Sequence, residues 1–319
     1  MDNEKTCVVT GGAGFIGSHL CEALLSLNHR VYAIDNLLTG RKENLAEALK
    51  HSRFSLIEHD VIEPLNKLTP RLRAGQVYIF HLASPASVVD YQKNPEETAM
   101  VNSTGTRNML ELARQTGAKF LFASTSEVYG DPKEHPQKET YWGNVNPVGP
   151  RACYDESKRF GEMMTTVYRR RDRLDARIIR IFNTYGPRMR PDDGRVISNL
   201  VNQAIRGEPL TVYGQGSQTR SFCYVSDMVE GIVRAMFTPE TSGEVINLGN
   251  PEEYRMIDLA KKIKEMTGTV SEIIYKDLPS DDPEVRRPDI TKATKLLNWE
   301  PKVSVTEGLA KTIEYYRSL

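Results

Sequence analysis

The chain has 319 residues, 39% of them hydrophobic, which suffices for one large α/β domain or two closely associated ones with a sizeable core. Lysine plus arginine and aspartate plus glutamate both number 42, so the formal charge is zero and the basic excess expected of a nucleic-acid binder is missing. The 4 cysteines (Cys7, Cys21, Cys153, Cys223) form no C-x-x-C pair and the 6 histidines are scattered, which argues for free thiols in a reducing compartment and against a metal site.

The opening MDNEKTCVVT is acidic and polar before it turns apolar, unlike a secretory signal. No run reaches the roughly 18 apolar residues of a membrane span. A cytoplasmic protein with no membrane partner is expected. Residues 7–10 (CVVT) read as a short buried strand, and 18–28 as a helix with Leu20, Ala23, Leu24 and Leu27 on one face. Strands are predicted at 31–35 (VYAID), 54–58 and 77–82 (VYIFHL), then a helix over about 96–116 that stops at Gly117. A fifth strand at 119–124, a helix carrying Tyr154 and Lys158 to about Arg171, and a sixth strand at 176–182 continue the series. This alternation predicts an α/β fold, a doubly wound parallel sheet of Rossmann type, with ligands beyond the carboxyl ends of the strands.

After 183 the rhythm loosens. Pro187, Pro191 and Gly194 punctuate a loop, 196–206 reads as a helix, 211–212 and 245–248 read as short strands, and 281–288 is charged and proline-rich. The expected division is a dinucleotide-binding domain over 1–182, with a segment near 221–240 returning to the main sheet, and a smaller C-terminal α/β domain over 183–319 for substrate.

GGAGFIG follows the first strand and opens a helix. Gly11 permits the tight turn, Gly14 lets backbone approach a pyrophosphate, and Gly17 lets the helix pack close to the strand. The helix N-terminus offers free N–H groups to the phosphates. Such a triplet alone is a weak signal; Asp35, at the end of the second strand, strengthens it. A carboxylate there accepts both ribose hydroxyls and repels a 2′-phosphate, which favours NAD over NADP. Arg41 nearby reads as a solvated surface residue. Asp60 serves either the adenine amine or a turn. Candidate cofactor contacts are Gly11, Gly14, Phe15, Ile16, Gly17, Asp35, Asn36, Asp60, Val61, Leu82 and Ala83, with Tyr154 and Lys158.

Tyr154 and Lys158 lie four residues apart on a predicted helix and so face the same way. Tyrosine titrates near pH 10, and a neighbouring ammonium is expected to lower that value until the phenolate can take a proton from a hydroxyl. A solvated helix face is the ordinary reading of such a pair. Here the fifth strand ends in Ser124-Thr125-Ser126, which would bring hydroxyls beside it.

With these blocks in order, TGGAGFIGSHL, DNLLTGRKEN, HDVIEPL, HLASPAS, STSEVYGDP, GPRACYDESKR, RIFNTYGPRM, GEPLTVYGQGSQTRSFCYVSD, NLGNPEE and DDPEVRRPDI, the chain resembles the extended short-chain dehydrogenase/reductase family along nearly its whole length. More narrowly it resembles the UDP-glucuronate decarboxylases, or UDP-xylose synthases. The 4,6-dehydratases carry an aspartic acid where this chain has Ser126, and 4-epimerases typically have a small or hydroxyl residue in place of Glu127. The decarboxylases have Thr-Ser-Glu, as at Thr125–Glu127, and an arginine matching Arg286.

The resemblance implies that carbon 4 of UDP-glucuronate is oxidised, that the resulting β-keto acid loses CO₂, and that the same NAD returns its hydride. In that scheme Tyr154 is the base, Lys158 its support, and Thr125 a hydrogen-bond partner of the oxygen on carbon 4. Glu127 and Arg286 act near carbon 5. Ser126, Asn183, Arg195, Tyr213, Arg220 and Arg286 are implied to contact the UDP-sugar. The family usually forms homodimers through the Tyr/Lys helix and the one near 96–116. Residues 66–75 make a longer link than the family's usual one, a surface insertion of little consequence for chemistry. The rival readings are another NAD-dependent sugar-nucleotide epimerase or dehydratase and, more remotely, a non-catalytic NAD sensor on the same fold.

Overall fold

In the computed structural model, residues 4–65, 72, 76–278 and 285–319 are described. The link at 66–75, apart from Leu72, and residues 281–284 of the proline-rich stretch lie outside them.

Six strands arise from the apolar, β-branched and aromatic runs of the first half: β1 (Thr6–Thr10), β2 (Arg30–Asp35), β3 (Phe54–Glu58), β4 (Val77–His81), β5 (Lys119–Thr125) and β6 (Ala176–Ile181). Helices cover both faces of the sheet, so β4 is buried along its whole length and β5 everywhere but its first residue. Each fully buried Phe, such as Phe80, Phe120 and Phe122, contributes roughly 1.5–3 kcal/mol. The strands pair in parallel in the order β3-β2-β1-β4-β5-β6, with Val245–Leu248 as the outermost neighbour of β6. The order reverses between β1 and β4, and a crevice opens there at the carboxyl ends.

Three elements differ from the sequence reading. The strand Val245–Leu248, grouped with the smaller part, is the seventh strand of the main sheet, and the helix Val225–Phe237 packs on α1 (Phe15–Ser26), β5 and β6. A four-residue apolar run does not say which sheet it joins; pairing with β6 decides it. The single helix expected over 96–116 is Pro95–Met100, a wider π-type turn at Val101–Gly105, and Thr106–Thr116, closed by Gly117 at φ 66°. The first helix starts at Phe15, not 18, directly at the glycine turn.

The smaller layer comprises a helix (Val196–Arg206), a parallel pair (Leu210–Tyr213 with Ile273–Lys276), and a three-stranded sheet. In that sheet Thr219–Ser221 is central, flanked by Glu253–Arg255 antiparallel and Val285–Arg286 parallel. One apolar core runs continuously from α1 and the main sheet into these elements and the C-terminal helix Val305–Arg317.

Candidate active site

A cleft of about 720 Å³ lies over the strand ends, and every candidate residue drawn from the sequence is on its walls. Its first half is made by the glycine turn. Gly11 has φ 71°, and a Cβ on it would come within 2.9 Å of the Ala83 nitrogen. A Cβ on Gly17 would sit 2.0 Å from the Gly11 carbonyl oxygen, so any side chain there would prise α1 off the turn. Gly14 precedes α1 with no side-chain cap, and the helix's first turn holds no acidic residue. Its positive end therefore faces the cleft open to an anion.

Asp35 is buried at the end of β2. Its Oδ2 accepts the Ala13 N–H at 2.9 Å and its Oδ1 the Leu37 N–H at 2.8 Å. Burial raises its pKa, and these two bonds partly offset that. Each oxygen keeps a lone pair for a hydroxyl donor. Arg41 lies partly exposed with Glu43, 3.8 Å away. Asp60 accepts from Ile62 N at 3.0 Å and Asn36 Nδ2 at 2.8 Å, so it is a turn carboxylate that also lines the cleft. This donor set fits a dinucleotide: open amides for a pyrophosphate and a fixed carboxylate for a ribose.

The second half is built on β5 and the long helix Ala152–Asp172. Thr125, last in β5, hydrogen-bonds Tyr154. The Lys158 ammonium donates to the Ala123 carbonyl at 2.9 Å and lies 5.8 Å from the centre of the Tyr154 ring. Ser124, by contrast, donates to Glu162 at 2.6 Å and is occupied there.

The expected lowering of the tyrosine pKa is corrected by this geometry. Burial pushes the Tyr154 phenol up to about 12; the Thr125 bond opposes it, and the nearby Glu127 charge adds to it. Burial also pushes the Lys158 ammonium down to about 7. Desolvation is the largest influence on both groups, opposed by the Thr125 bond at Tyr154 and by the Glu162 charge at Lys158.

Beside this pair lies a charged cluster. Glu127, in the turn after β5, takes both prongs of Arg286, with Nη2 to Oε2 at 3.0 Å, and a further bond from Arg151. Burial pushes the Glu127 carboxyl up, but Arg286 and Arg151, helped by Arg220, outweigh it and hold the carboxyl at about 2. Arg286 is 4% exposed. Its strand pairs with Thr219–Ser221 so that Arg286 sits in register with Arg220.

Several residues here escaped the sequence reading. Arg151 stands three positions before Tyr154, a helical spacing that could have flagged it. Tyr91 stacks on Tyr154 with ring centres 5.1 Å apart and planes within 8° of parallel. No local pattern marks that long-range contact. Asp155 is buried, its Oδ1 lacks a partner among the described residues, and burial with the Glu127 charge pushes its carboxyl up to about 7.

A family model described as GDP-mannose 4,6 dehydratase matches residues 8–312. UDP-glucuronic acid decarboxylase 1 of Arabidopsis thaliana is 54% identical over 98% of this chain and 69% of its own length. UDP-glucuronic acid decarboxylase 1 of Xenopus tropicalis is 51% identical over 99% of this chain and 73% of its own length. Among solved structures, UDP-glucose 4-epimerase from Thermotoga maritima with UDP-glucose superposes with a TM-score of 0.87 at 33% identity, covering 98% of this chain and 99% of that one. UDP-glucuronic acid 4-epimerase from Bacillus cereus, in complex with UDP-glucuronic acid and NAD, superposes with a TM-score of 0.87 at 31% identity, again covering 98% and 99%. The two curated relatives share one name, UDP-glucuronic acid decarboxylase, whereas the two solved structures are 4-epimerases. The chain belongs to the UDP-glucuronic acid decarboxylase family, within the extended short-chain dehydrogenases/reductases that the GDP-mannose 4,6 dehydratase model covers.

Proposed function

We infer that this chain is an NAD-dependent decarboxylase that converts UDP-glucuronate to UDP-xylose and CO₂ through a UDP-4-keto intermediate. One observation carries the reading: a site for oxidising a hydroxyl (Thr125, Tyr154, Lys158) adjoins a buried charged cluster suited to a carboxylate (Glu127, Arg286, Arg151).

The open amides at 15–17 would hold the pyrophosphate of NAD, Asp35 the adenine ribose, and Lys158 the nicotinamide ribose. When bound, NAD supplies an acceptor for the hydrogen of sugar carbon 4 and later returns it. Tyr154 Oη accepts the proton of the 4-hydroxyl, with the Lys158 charge favouring the phenolate. Thr125 Oγ hydrogen-bonds the oxygen on carbon 4. The new ketone makes the substrate a β-keto acid. The bond from carbon 5 to the carboxylate then breaks, its electron pair moves into an enolate on the carbon 4 oxygen, and CO₂ leaves. A proton taken up from solvent at carbon 5 gives the UDP-4-keto-pentose, and Tyr154 returns its proton to the carbon 4 oxygen as that carbon is reduced back to the alcohol.

Glu127 stays ionised at neutral pH, and its charge favours loss of the sugar carboxylate as a neutral molecule. Arg286, held by Glu127, keeps positive charge near carbon 5 while the enolate exists. Ser126 offers no acid to protonate a departing hydroxyl, which separates this site from a dehydratase. Asn183, Arg195, Tyr213 and Arg220 also line the cleft, and there they would hold the UDP part of the substrate.

Incubation with UDP-glucuronate tests the reading: UDP-xylose and CO₂ form without net NADH. A product that keeps the carboxylate overturns it, and a released UDP-4-keto-pentose would mark an enzyme that skips the last reduction.

We propose further that two copies pair through the outer face of Ala152–Asp172. Phe160, Met163 and Val167 lie there 40%, 45% and 39% exposed, with Met100 on the neighbouring helix at 40%. We also place the protein in the cytoplasm, because all four cysteines are free. No helix among the described residues is long and apolar enough to cross a membrane.

A further inference from the structure

Arg286 reaches the site from a strand that spans two of the described residues, Val285–Arg286. A strand that short cannot fix a long side chain by itself, so what holds its neighbours decides where the guanidinium points. On one side it is held by Thr219–Ser221, with Ser221 Oγ donating to the Arg286 carbonyl at 3.4 Å. On the other side Gln137 makes most of the contacts, with Asn247 beside it. Gln137, fully buried, lies in the loop between Glu127 and the long helix. Its N–H donates to the Arg287 carbonyl at 2.9 Å, and its own carbonyl accepts the Asp289 N–H at 2.8 Å. Its side-chain Oε1 accepts the Arg287 N–H at 2.8 Å, and its Nε2 donates to the Glu134 carbonyl at 2.7 Å. Asn247, from the edge strand of the main sheet, donates to both the Gln137 carbonyl at 3.0 Å and the Asp289 carbonyl at 3.2 Å.

We propose that Gln137 is a positioning residue for the decarboxylation step: its backbone and side-chain amide clamp residues 287–289 so that Arg286 meets Glu127 in the geometry that CO₂ loss requires. Arg286 and Glu127 are distant in sequence, and Gln137 joins the two segments that carry them. Neither Tyr154 nor Lys158 hydrogen-bonds to this clamp. Loosening it therefore acts on the carbon 5 chemistry and leaves the carbon 4 oxidation in place. Small misplacements of a catalytic charge are costly, up to roughly a hundredfold in rate for about 1 Å.

The inference rests on the decarboxylase reading, and the experiment separates the two. The NAD-loaded enzyme is mixed with UDP-glucuronate in a single turnover, with reduced nicotinamide followed by absorbance and CO₂ release followed in parallel. In Gln137→Met, which keeps the volume and loses the acceptor, reduced nicotinamide is expected to form at the wild-type rate and then persist, because CO₂ release slows by about tenfold or more. Gln137→Glu, which keeps an oxygen facing Arg287, restores most of the release rate. Unchanged CO₂ release in folded Gln137→Met overturns the proposal, as does an equal fall in both steps, which would mean a merely structural role. If Gln137→Met does not fold, Asn247→Ser is read by the same two criteria. Wild-type enzyme that releases no CO₂ sinks the decarboxylase reading instead.

Discussion

Glu127 and Arg286, 159 positions apart, form a two-pronged ion pair at the boundary between the main sheet and the smaller layer. The pair is buried, and Arg151 supplies a second cation to the same carboxylate. Arg286→Gln is therefore expected to retain the fold, because Arg151 still compensates the charge, at a cost toward the lower end of about 3–5 kcal/mol. CO₂ release should fall by roughly a hundredfold or more while the oxidation at carbon 4 persists. Chemical denaturation and single-turnover product analysis check both parts; a variant that releases CO₂ at the wild-type rate removes Arg286 from the mechanism.

The same cluster governs acid stability. Glu127 has its pKa depressed in the folded chain, to about 2. The stability it contributes is complete above the ordinary carboxylate range near 4.5 and is lost as pH falls toward 2. Glu127→Gln should flatten the pH dependence of the melting temperature across that window and leave the slope above pH 5 as it was.

Tyr154→Phe removes the proposed proton acceptor and keeps the ring that stacks on Tyr91. Turnover of UDP-glucuronate should drop by about 10²–10⁴ with an unchanged melting temperature. Turnover near the wild-type rate would refute the base assignment.

Lys158 carries a pKa lowered by burial to about 7. Between about 7 and its ordinary value near 10.5 the unfolded chain binds the extra proton, so stability from this group rises with pH through that window. Below about 7 the folded chain bears the full cost of a buried ammonium. Lys158→Met should accordingly melt a few degrees above wild type at pH 6, a gap that closes as pH approaches 10, while losing activity. Calorimetry across that range is the check.

Asp35 is fixed by two backbone N–H donors, and Gly40 leaves it room: a Cβ at position 40 would come within 2.7 Å of Asp35 Oδ1. Asp35→Ser should weaken NAD binding by about tenfold and narrow its preference over NADP, since the carboxylate no longer repels a 2′-phosphate. Titration calorimetry with each nucleotide measures the ratio.

Much of the site could be read from the chain because it rests on local rules. The glycine turn, Asp35 at a strand end, and the four-residue spacing of Tyr154 and Lys158 each follow from the geometry of one element. What stayed hidden is non-local. The pairing of Val245–Leu248 with β6, the stacking of Tyr91 on Tyr154 and the Gln137 contacts with Arg287 and Asp289 join segments that no periodicity connects. The tyrosine pKa went the other way for a related reason: sequence shows that a lysine is near, whereas burial, which dominates both groups, comes from the assembled fold.

The register of Val285–Arg286 against Thr219–Ser221 has one more consequence. In the proposed mechanism the groups that handle carbon 4 stand on the main sheet and its long helix, whereas the cation assigned to carbon 5 is delivered from a different layer. The ion pair of Glu127 with Arg286 therefore straddles two layers, so any shift of the smaller layer against the main sheet would be felt at that pair before it reached Tyr154 and Lys158.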